Sequence, residues 1–353
     1  NESTTVLKRA AENFKNTAEN VTNYVIRIIN KATGNDNTLN VTLDNVNIDV
    51  SSSKTNNAAL SVEGAGDTKI TLEGKNTLTS GNQCAGLEHN EESMGTTGKL
   101  TITSEKDADG NDTGSLTATG GNGAAGIGSS DGNGAGTIEI TGGNITANGG
   151  NNAAGIGSGY NSNGNTTINI ESGTIVKAQG GSGRGSSGGA GIGSGDIGSG
   201  YTGSSTTNIT ISGGTIKEAV GGNTGDGIGG GGSSNNTTVT INGGRIEKAQ
   251  GGQGYSIFDG GDGIHSDDAL TIPGTASIGS AIGGCGGSGV GVCGAGNGIY
   301  SGGKLTIEGG TIGTAQGGSG RSGGYGIGSN GTLTIAGGEI QQTTGGEDRK
   351  STR

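Results

Sequence analysis

The sequence contains no tryptophan, only two phenylalanines and six tyrosines, and just 27% hydrophobic residues over 353 positions. A conventional globular core would hardly offset the ordering of the backbone, which costs about 1–2 kcal/mol per residue. Glycine, by contrast, supplies 85 residues. Two fold classes remain: a disordered low-complexity chain, or a repeat protein whose core is a thin continuous column.

Basic charge and long apolar runs are also scarce. The formal net charge is −11, which argues against binding to nucleic acid or to anionic membranes, because both need a basic patch. No apolar stretch approaches the roughly 20 residues of a membrane span. No signal peptide is visible at Asn1, so we expect a mature chain or a fragment.

Cysteine is too rare for a disulfide scaffold, since the chain has only three. Cys285 and Cys293 are close enough in sequence to form a bridge, whereas Cys84 has no evident partner. A bridge and free buried thiols remain equally open from the sequence.

One phrase recurs about every 30 residues along the chain. It begins with an apolar-x-apolar triplet, continues through Gly-Gly-x-Ile and a loop, and closes with Gly-Ile-Gly. A clear copy runs from Ile138 to Gly157, and another runs from Leu305 to Gly328. Apolar residues alternate with polar ones in each triplet, which is strand periodicity, and the glycines suit tight corners where φ is positive.

This pattern predicts an all-β, right-handed parallel β-helix of about ten coils with three short strands each. The right hand is chosen because parallel crossovers are nearly always right-handed. We expect an amphipathic helix over residues 4–19 that caps the first coil, and a first strand at Tyr24–Ile29. The domain plan is 1–37 for helix and first strand, 38–346 for the β-helix, and 347–353 for a polar tail.

A column of residues lies two positions before the central residue of each third strand. It is alanine at Ala85, Ala125, Ala154 and Ala190, but it is Asp226 and Asp262 in two adjacent coils, which stacking would bring about 5 Å apart. Together with Asp267 and Asp268, these carboxylates suit Ca²⁺, which takes 6–8 oxygen ligands. The alternative is a ladder in which each aspartate accepts hydrogen bonds from N–H groups of the turns.

Tyrosines are the candidate sugar contacts, because an aromatic face can stack on a sugar ring. The candidates are Tyr160, Tyr201, Tyr255 and Tyr300. The alternative is local packing over loops. Only two histidines exist, His89 and His265, and we expect the second to be an incidental loop residue, so no Ser–His–Asp or Cys–His set can be assembled.

The segment from Gly261 to Ile272 (GDGIHSDDALTI) resembles the glycine-rich, pectate-lyase-like β-helix proteins with carbohydrate-binding domains that Firmicutes secrete. The stretches 40–48, 59–62 and 70–72 look like the opening coils of that family, and the likeness covers about residues 38–346. The resemblance implies binding of acidic plant polysaccharides with bound calcium. This chain has Ala-Gly-Ile in most coils, which departs from the family's calcium sites.

We therefore predict an extracellular or cell-surface solenoid that is not an enzyme and that binds or adheres to polysaccharide, namely acidic plant or host glycans, with Ca²⁺ assisting. Neither nucleic acid nor membrane insertion is expected. The alternative is a structural stalk or filament subunit whose coils stack end to end. A polysaccharide lyase is a third reading, although we find no strand that carries both a calcium ligand and an arginine or lysine base.

Overall fold

The computed structural model describes residues 12–15, 21–33, 38–52, 56–91, 97–183, 188–198, 201, 205–233, 236–256, 258–287 and 293–348. These residues form a parallel β-solenoid, and none of them is helical. No described helix is therefore long and apolar enough to cross a membrane.

The strands stack in three columns, as the repeat predicts, and neighbouring coils pair in parallel. The first column contains β1 (Glu12–Lys15), β3 (Leu39–Asp44), β6 (Thr68–Glu73), β9 (Leu100–Ser104), the first halves of β12 (Gly136–Asn148) and β14 (Thr166–Gln179), β16 (Thr207–Ile211) and β20 (Thr237–Ile241). A separate three-stranded sheet lies beside β20 and consists of β23 (Leu270–Ile272), β26 (Leu305–Ile307) and β29 (Leu333–Ile335).

The second column contains β4 (Asn47–Asp49), β7 (Lys75–Thr79), β10 (Ser115–Thr119), the second halves of β12 and β14, β17 (Thr215–Ile216), β18 (Ala219–Val220), β21 (Gly244–Gln250), β24 (Ala276–Ile282), β27 (Thr311–Gln316) and β30 (Glu339–Thr344). Because β12 and β14 run through both columns without a break, the strands of the two columns belong to one 17-stranded sheet.

The third column is a separate sheet of ten strands. It contains β2 (Ile26–Ile29), β5 (Leu60–Glu63), β8 (Leu87–His89), β11 (Ile127–Gly128), β13 (Ile156–Gly157), β15 (Ile192–Gly193), β19 (Ile228–Gly229), β22 (Ile264–Ser266), β25 (Ile299–Ser301) and β28 (Ile327–Ser329). The solenoid makes about nine turns, slightly fewer than the ten coils predicted.

Aliphatic side chains at equivalent positions of successive coils form the core. In the third column Ile127 pairs with Ile156, which pairs with Ile192, and that residue pairs with Ile228. All four are fully buried, and the inward residues of the three columns merge into one hydrophobic cluster. Burial of each such side chain contributes roughly 1.5–3 kcal/mol, which is how a chain with few hydrophobic residues folds.

Glycine permits the close approach of coils beside the third column. Gly157 has a φ of +134°, and a Cβ built there would lie 1.8 Å from the carbonyl oxygen of Gly193 in the next coil. Only a residue without a side chain tolerates both the backbone conformation and that contact. The Gly-Ile-Gly phrase therefore reflects the stacking of one coil on the next.

The N-terminal segment differs from the sequence prediction where the structure describes it. Glu12–Lys15, inside the predicted helix 4–19, is a strand that pairs in parallel with Val41–Asp44. The rest of that predicted helix lies outside the described residues. The predicted first strand is confirmed at Ile26–Ile29, which pairs with β5. Sheet pairing with the neighbouring coil overrides the local helical spacing here.

The three cysteines are all free thiols. The bridge between Cys285 and Cys293 that the sequence left open is therefore not formed, and the Cys293 thiol donates a hydrogen bond to the carbonyl oxygen of Ser256 at 3.3 Å.

Two isoleucines at paired positions of adjacent coils allow the contribution of the stacked core to stability to be tested. Ile307 and Ile335 occupy paired positions of adjacent coils, but Ile307 is 1% exposed and Ile335 is 56% exposed. We expect Ile307→Ala to lower the free energy of unfolding by about 2–5 kcal/mol, because it leaves a cavity in the column. Ile335→Ala should cost less than about 1 kcal/mol. Denaturant titration checks this, and equal losses would contradict the stacked core.

Candidate metal centre on the third column

The two aspartates singled out in the sequence lie in adjacent coils. Asp226 precedes β19 and Asp262 precedes β22, and Ile228 pairs with Ile264 across the two strands. Both carboxylates are buried. The stacking that the repeat predicts therefore brings together two acidic groups that are 36 residues apart in sequence.

One oxygen of each carboxylate serves a ladder that ties the coils together. Asp226 Oδ1 accepts the backbone N–H of Asp262 at 2.7 Å, and Asp262 Oδ1 accepts the backbone N–H and side-chain amide of Asn297. Asn297 Oδ1 in turn accepts the backbone N–H of Tyr325 at 2.8 Å. The ladder proposed as the alternative to metal binding is thus present.

The other carboxylate oxygens face His265. Its Nδ1 atom lies 3.0 Å from Asp262 Oδ2 and 3.6 Å from Asp226 Oδ2, while its Nε2 atom lies 3.6 Å from Asp267 Oδ1. His265 follows Ile264 on β22, so that it points away from the core. It is therefore not the incidental loop residue that the sequence suggested, because it supplies the positive charge that two close carboxylates require.

The charges of this cluster depend on one another. Burial raises the pKa of Asp226 to about 7, against the opposing effect of the His265 charge. Burial alone would lower the pKa of His265, but the hydrogen bond to Asp262 and the charges of Asp226, Asp262 and Asp267 raise it to about 9. The charge states of Asp226 and His265 are consequently coupled.

Asp226, Asp262 and His265 could together hold a metal ion. One carboxylate oxygen from each aspartate and one imidazole nitrogen lie within 4.8 Å of one another. Two oxygens and one nitrogen suit Zn²⁺ or Mn²⁺, whereas Ca²⁺ prefers oxygen ligands alone. The structure thus offers a compact set of three donors whose chemistry is broader than the calcium site predicted.

The other two predicted metal ligands lie at the edge of this cluster or outside it. Asp267 is on the far side of the imidazole, and its Oδ2 atom accepts the backbone N–H groups of Asn236 and Thr237 at 2.8 and 2.7 Å. Asp268 accepts the Thr238 hydroxyl at 2.9 Å instead of facing His265. Turn hydrogen bonds thus engage both residues.

Tyr300 is the predicted sugar contact that lies at the cluster. It pairs with His265 in the strand register, and the two rings meet edge to face with their centroids 5.6 Å apart. Burial, followed by the charge of Asp262, raises the pKa of Tyr300. Tyr325 is 65% exposed and lies beside Tyr300, with both rings bordering Gly328. Two aromatic rings therefore adjoin the candidate metal centre.

The remaining predicted tyrosines lie elsewhere. Tyr160 and Tyr201 both adjoin Gly198, whose carbonyl oxygen accepts the backbone N–H of Tyr201 at 3.1 Å. Tyr255 is exposed in the loop after β21. Tyr300, by contrast, contacts His265 directly.

The sequence contains a second feature, besides the aspartate column, that points to His265. The residue that follows the central residue of the third strand is glycine in four successive coils, at Gly128, Gly157, Gly193 and Gly229. It is His265 and then Tyr300 in two later coils. The change from glycine to a ring-bearing side chain after these four coils marks the candidate site.

Comparison with family models, curated proteins and solved structures gave no significant match. The resemblance of Gly261–Ile272 to carbohydrate-binding β-helix proteins therefore stays a prediction, and the chemistry of the site has to be argued from its own residues.

The charge of His265 predicts a pH dependence of stability in metal-free protein, measured with a chelator present. Its pKa of about 9 exceeds the ordinary value of 6.5, so its stabilisation is complete below pH 6.5 and is lost as the pH rises through 9. At about 1.4 kcal/mol per pKa unit, this amounts to a few kcal/mol at most. The raised pKa of Asp226 lowers the stability of the folded protein as the pH rises from 3.8 through 7, because its carboxyl group loses a proton more readily in the unfolded chain.

Chemical denaturation of wild type and His265→Gln between pH 6 and 10 measures this effect. The stability advantage of wild type should be largest at pH 6 and should shrink towards pH 10. A difference that stays constant over this range would show that His265 makes no charge-dependent contact.

Proposed function

We propose that this protein is an extracellular or cell-surface, non-catalytic solenoid that binds acidic polysaccharide through a metal ion. The observation that supports this proposal is the cluster of Asp226, Asp262 and His265 beside the rings of Tyr300 and Tyr325. The metal ion would supply the attraction and the rings would supply a stacking surface for sugars.

Net charge explains why a metal ion is needed. A chain with a net charge of −11 repels a polyanion unless a cation lies between them. A divalent ion held by Asp226 and Asp262 can also take carboxylate oxygens from the polymer, because Ca²⁺ accepts 6–8 oxygen ligands and the protein donates few. The polymer thus completes the coordination of the ion.

The resemblance of Gly261–Ile272 favours calcium and acidic plant glycans, whereas the imidazole nitrogen of His265 favours Zn²⁺ or Mn²⁺. We propose calcium as the first ion to test and the other two as competing ions. Tyr160, Tyr201 and Tyr255 stay predicted as further sugar contacts, and the right hand of the coil stays a prediction from crossover geometry.

The hypothesis that the protein is a polysaccharide lyase has less support. A base such as arginine or lysine would have to lie beside the metal-bound sugar, but among the described residues the groups that shift the pKa values of Asp226 and His265 are carboxylates, the imidazole and backbone N–H groups. An assay for unsaturated products at alkaline pH with calcium should therefore give no signal above buffer.

The metal-bridged mechanism predicts that chelation weakens binding. Affinity for polygalacturonate should fall at least tenfold in excess EDTA and should return when Ca²⁺, Zn²⁺ or Mn²⁺ is added back. Asp262→Asn should give a similar loss, because it removes a charge facing the ion while retaining the Oδ1 acceptor of the ladder. Calorimetry of each sample provides the measurement.

Asp268→Asn is the matched control, because Asp268 is nearby but contacts Thr238 instead of the cluster. It should bind as wild type does. Polygalacturonate binding that is unchanged in excess EDTA would exclude the bridging mechanism.

A second candidate, a stalk or filament subunit, is favoured by the last described coil. The strands β28, β29 and β30 each pair with only one other strand in the part of the chain that the structure describes. Leu333 and Ile335 on β29 are 43% and 56% exposed. Open strand edges and exposed apolar residues of this kind promote association between chains.

Sedimentation across a concentration series separates the two candidates. A filament subunit should grow in mass with concentration, and Ile335→Lys should abolish that growth. A strict monomer that binds glycan would exclude the filament.

A further inference from the structure

A polar cleft lies at the N-terminal end of the third column, over the strands β2, β5 and β8. Its volume is about 240 Å³, and its lining includes Arg27, Ser61, Glu63, Cys84 and Glu88. Arg27, Ser61 and Glu88 occupy paired positions on the three strands. The cleft is four strands of the column away from β19, so it is separate from the candidate metal centre.

Glu88 departs from the repeat in the same way as His265. It pairs with Gly128, the first of the glycines that occupy this position in the following coils. A carboxylate thus projects from a position that is glycine in the next four coils. The cleft is therefore a local feature of the first coils and not a groove shared by every coil.

The other two charged residues of the cleft, Arg27 and Glu63, form an ion pair. The Arg27 guanidinium donates two hydrogen bonds to Glu63, from Nε to Oε1 at 2.7 Å and from Nη2 to Oε2 at 2.6 Å. The Ser61 hydroxyl also donates to Glu63, at 3.1 Å. These contacts lower the pKa of Glu63. The ion pair is consequently neutral as a whole, and its carboxylate is already engaged.

Glu88 has hydrogen bonds, but no cation is among the described groups that act on it. It accepts the backbone N–H of Ala85 at 3.0 Å and the Asn90 amide at 3.2 Å. Burial, and to a lesser degree the charge of Glu63, raises its pKa. Cys84 contributes no charge, because burial raises its pKa to about 12. A cationic ligand would supply the charge that Glu88 lacks.

We propose that this cleft binds a hexosamine unit through its free ammonium group. An ammonium carries three donors, and it can meet the Glu88 carboxylate while Asn56, Asn57 and Ser61 face the neighbouring hydroxyls. A divalent metal fits less well, because it needs several anionic oxygen ligands and the Glu63 carboxylate is already engaged by Arg27. A lysine stem would need an apolar channel, whereas this lining is mostly polar.

This proposal goes beyond acidic-glycan binding and does not depend on the metal centre. Calorimetry at about 0.15 M salt, where exposed charges are screened, would compare glucosamine tetramer with N-acetylglucosamine tetramer. Wild type should bind the free amine at least tenfold more tightly than the acetylated oligomer. Glu88→Gln should bind the amine at least tenfold more weakly than wild type, because it retains the shape of the side chain but not its charge.

Three controls make the result decisive. Glu308→Gln removes an exposed charge of the same type far from the cleft and should leave binding unchanged. Asp262→Asn should also leave it unchanged, which separates this site from the metal centre. Thermal unfolding should show that Glu88→Gln is folded.

Equal affinity of wild type and Glu88→Gln for the amine would overturn the proposal. So would equal binding of the acetylated oligomer. Spermidine that binds as tightly as the glucosamine tetramer would overturn the recognition of a sugar.

Discussion

Hydrogen bonding between the backbones of successive coils is the constraint on which this structure depends. Parallel strands lie about 4.7–4.9 Å apart, so every inward position must hold a side chain that stacks on its equivalent one coil away. Isoleucine fulfils this in the third column, from Ile127 to Ile228. Where the backbones approach more closely, as at Gly157 against Gly193, any side chain would collide. The abundance of glycine and the recurring isoleucines thus both follow from the close spacing of hydrogen-bonded coils.

The same stacking creates the electrostatics of the candidate metal centre. Asp226 and Asp262 are brought together by register alone, and burial makes their mutual repulsion costly. The structure offsets that cost in two ways, with backbone N–H groups on both Oδ1 atoms and on Asp226 Oδ2, and with the His265 imidazole beside the Oδ2 atoms. A metal ion would replace the imidazole proton as the source of positive charge, so that metal binding and protonation compete for this cluster.

Periodicity made the three columns predictable, because a phrase such as Leu305–Ile307 specifies an inward-outward-inward strand in each coil. It did not predict the strand at Glu12–Lys15, where pairing with the next coil outweighs helical spacing. Nor did it predict Asn76, which is fully buried opposite Leu116 in an otherwise aliphatic row. Its amide there accepts the Val46 N–H and donates to the Glu73 and Ser115 carbonyl groups. Such contacts depend on three-dimensional partners, which local patterns do not contain.

The two candidate sites arise where outward positions depart from the repeat. Packing in the core restricts which residues can occupy the inward positions. Close backbone contacts restrict the corner positions to glycine, so substitutions at either kind of position lower the stability. The position after the central residue of the third strand is glycine with a positive φ at Gly128, Gly157 and Gly193, but it is Glu88, His265 or Tyr300 in coils where φ is not positive, and the strand pairing continues through these coils. A solenoid can therefore hold a charged or aromatic group at this position where the local backbone conformation differs from that of the glycine coils. Each site then draws its remaining groups from adjacent coils, at a spacing that the backbone has already fixed.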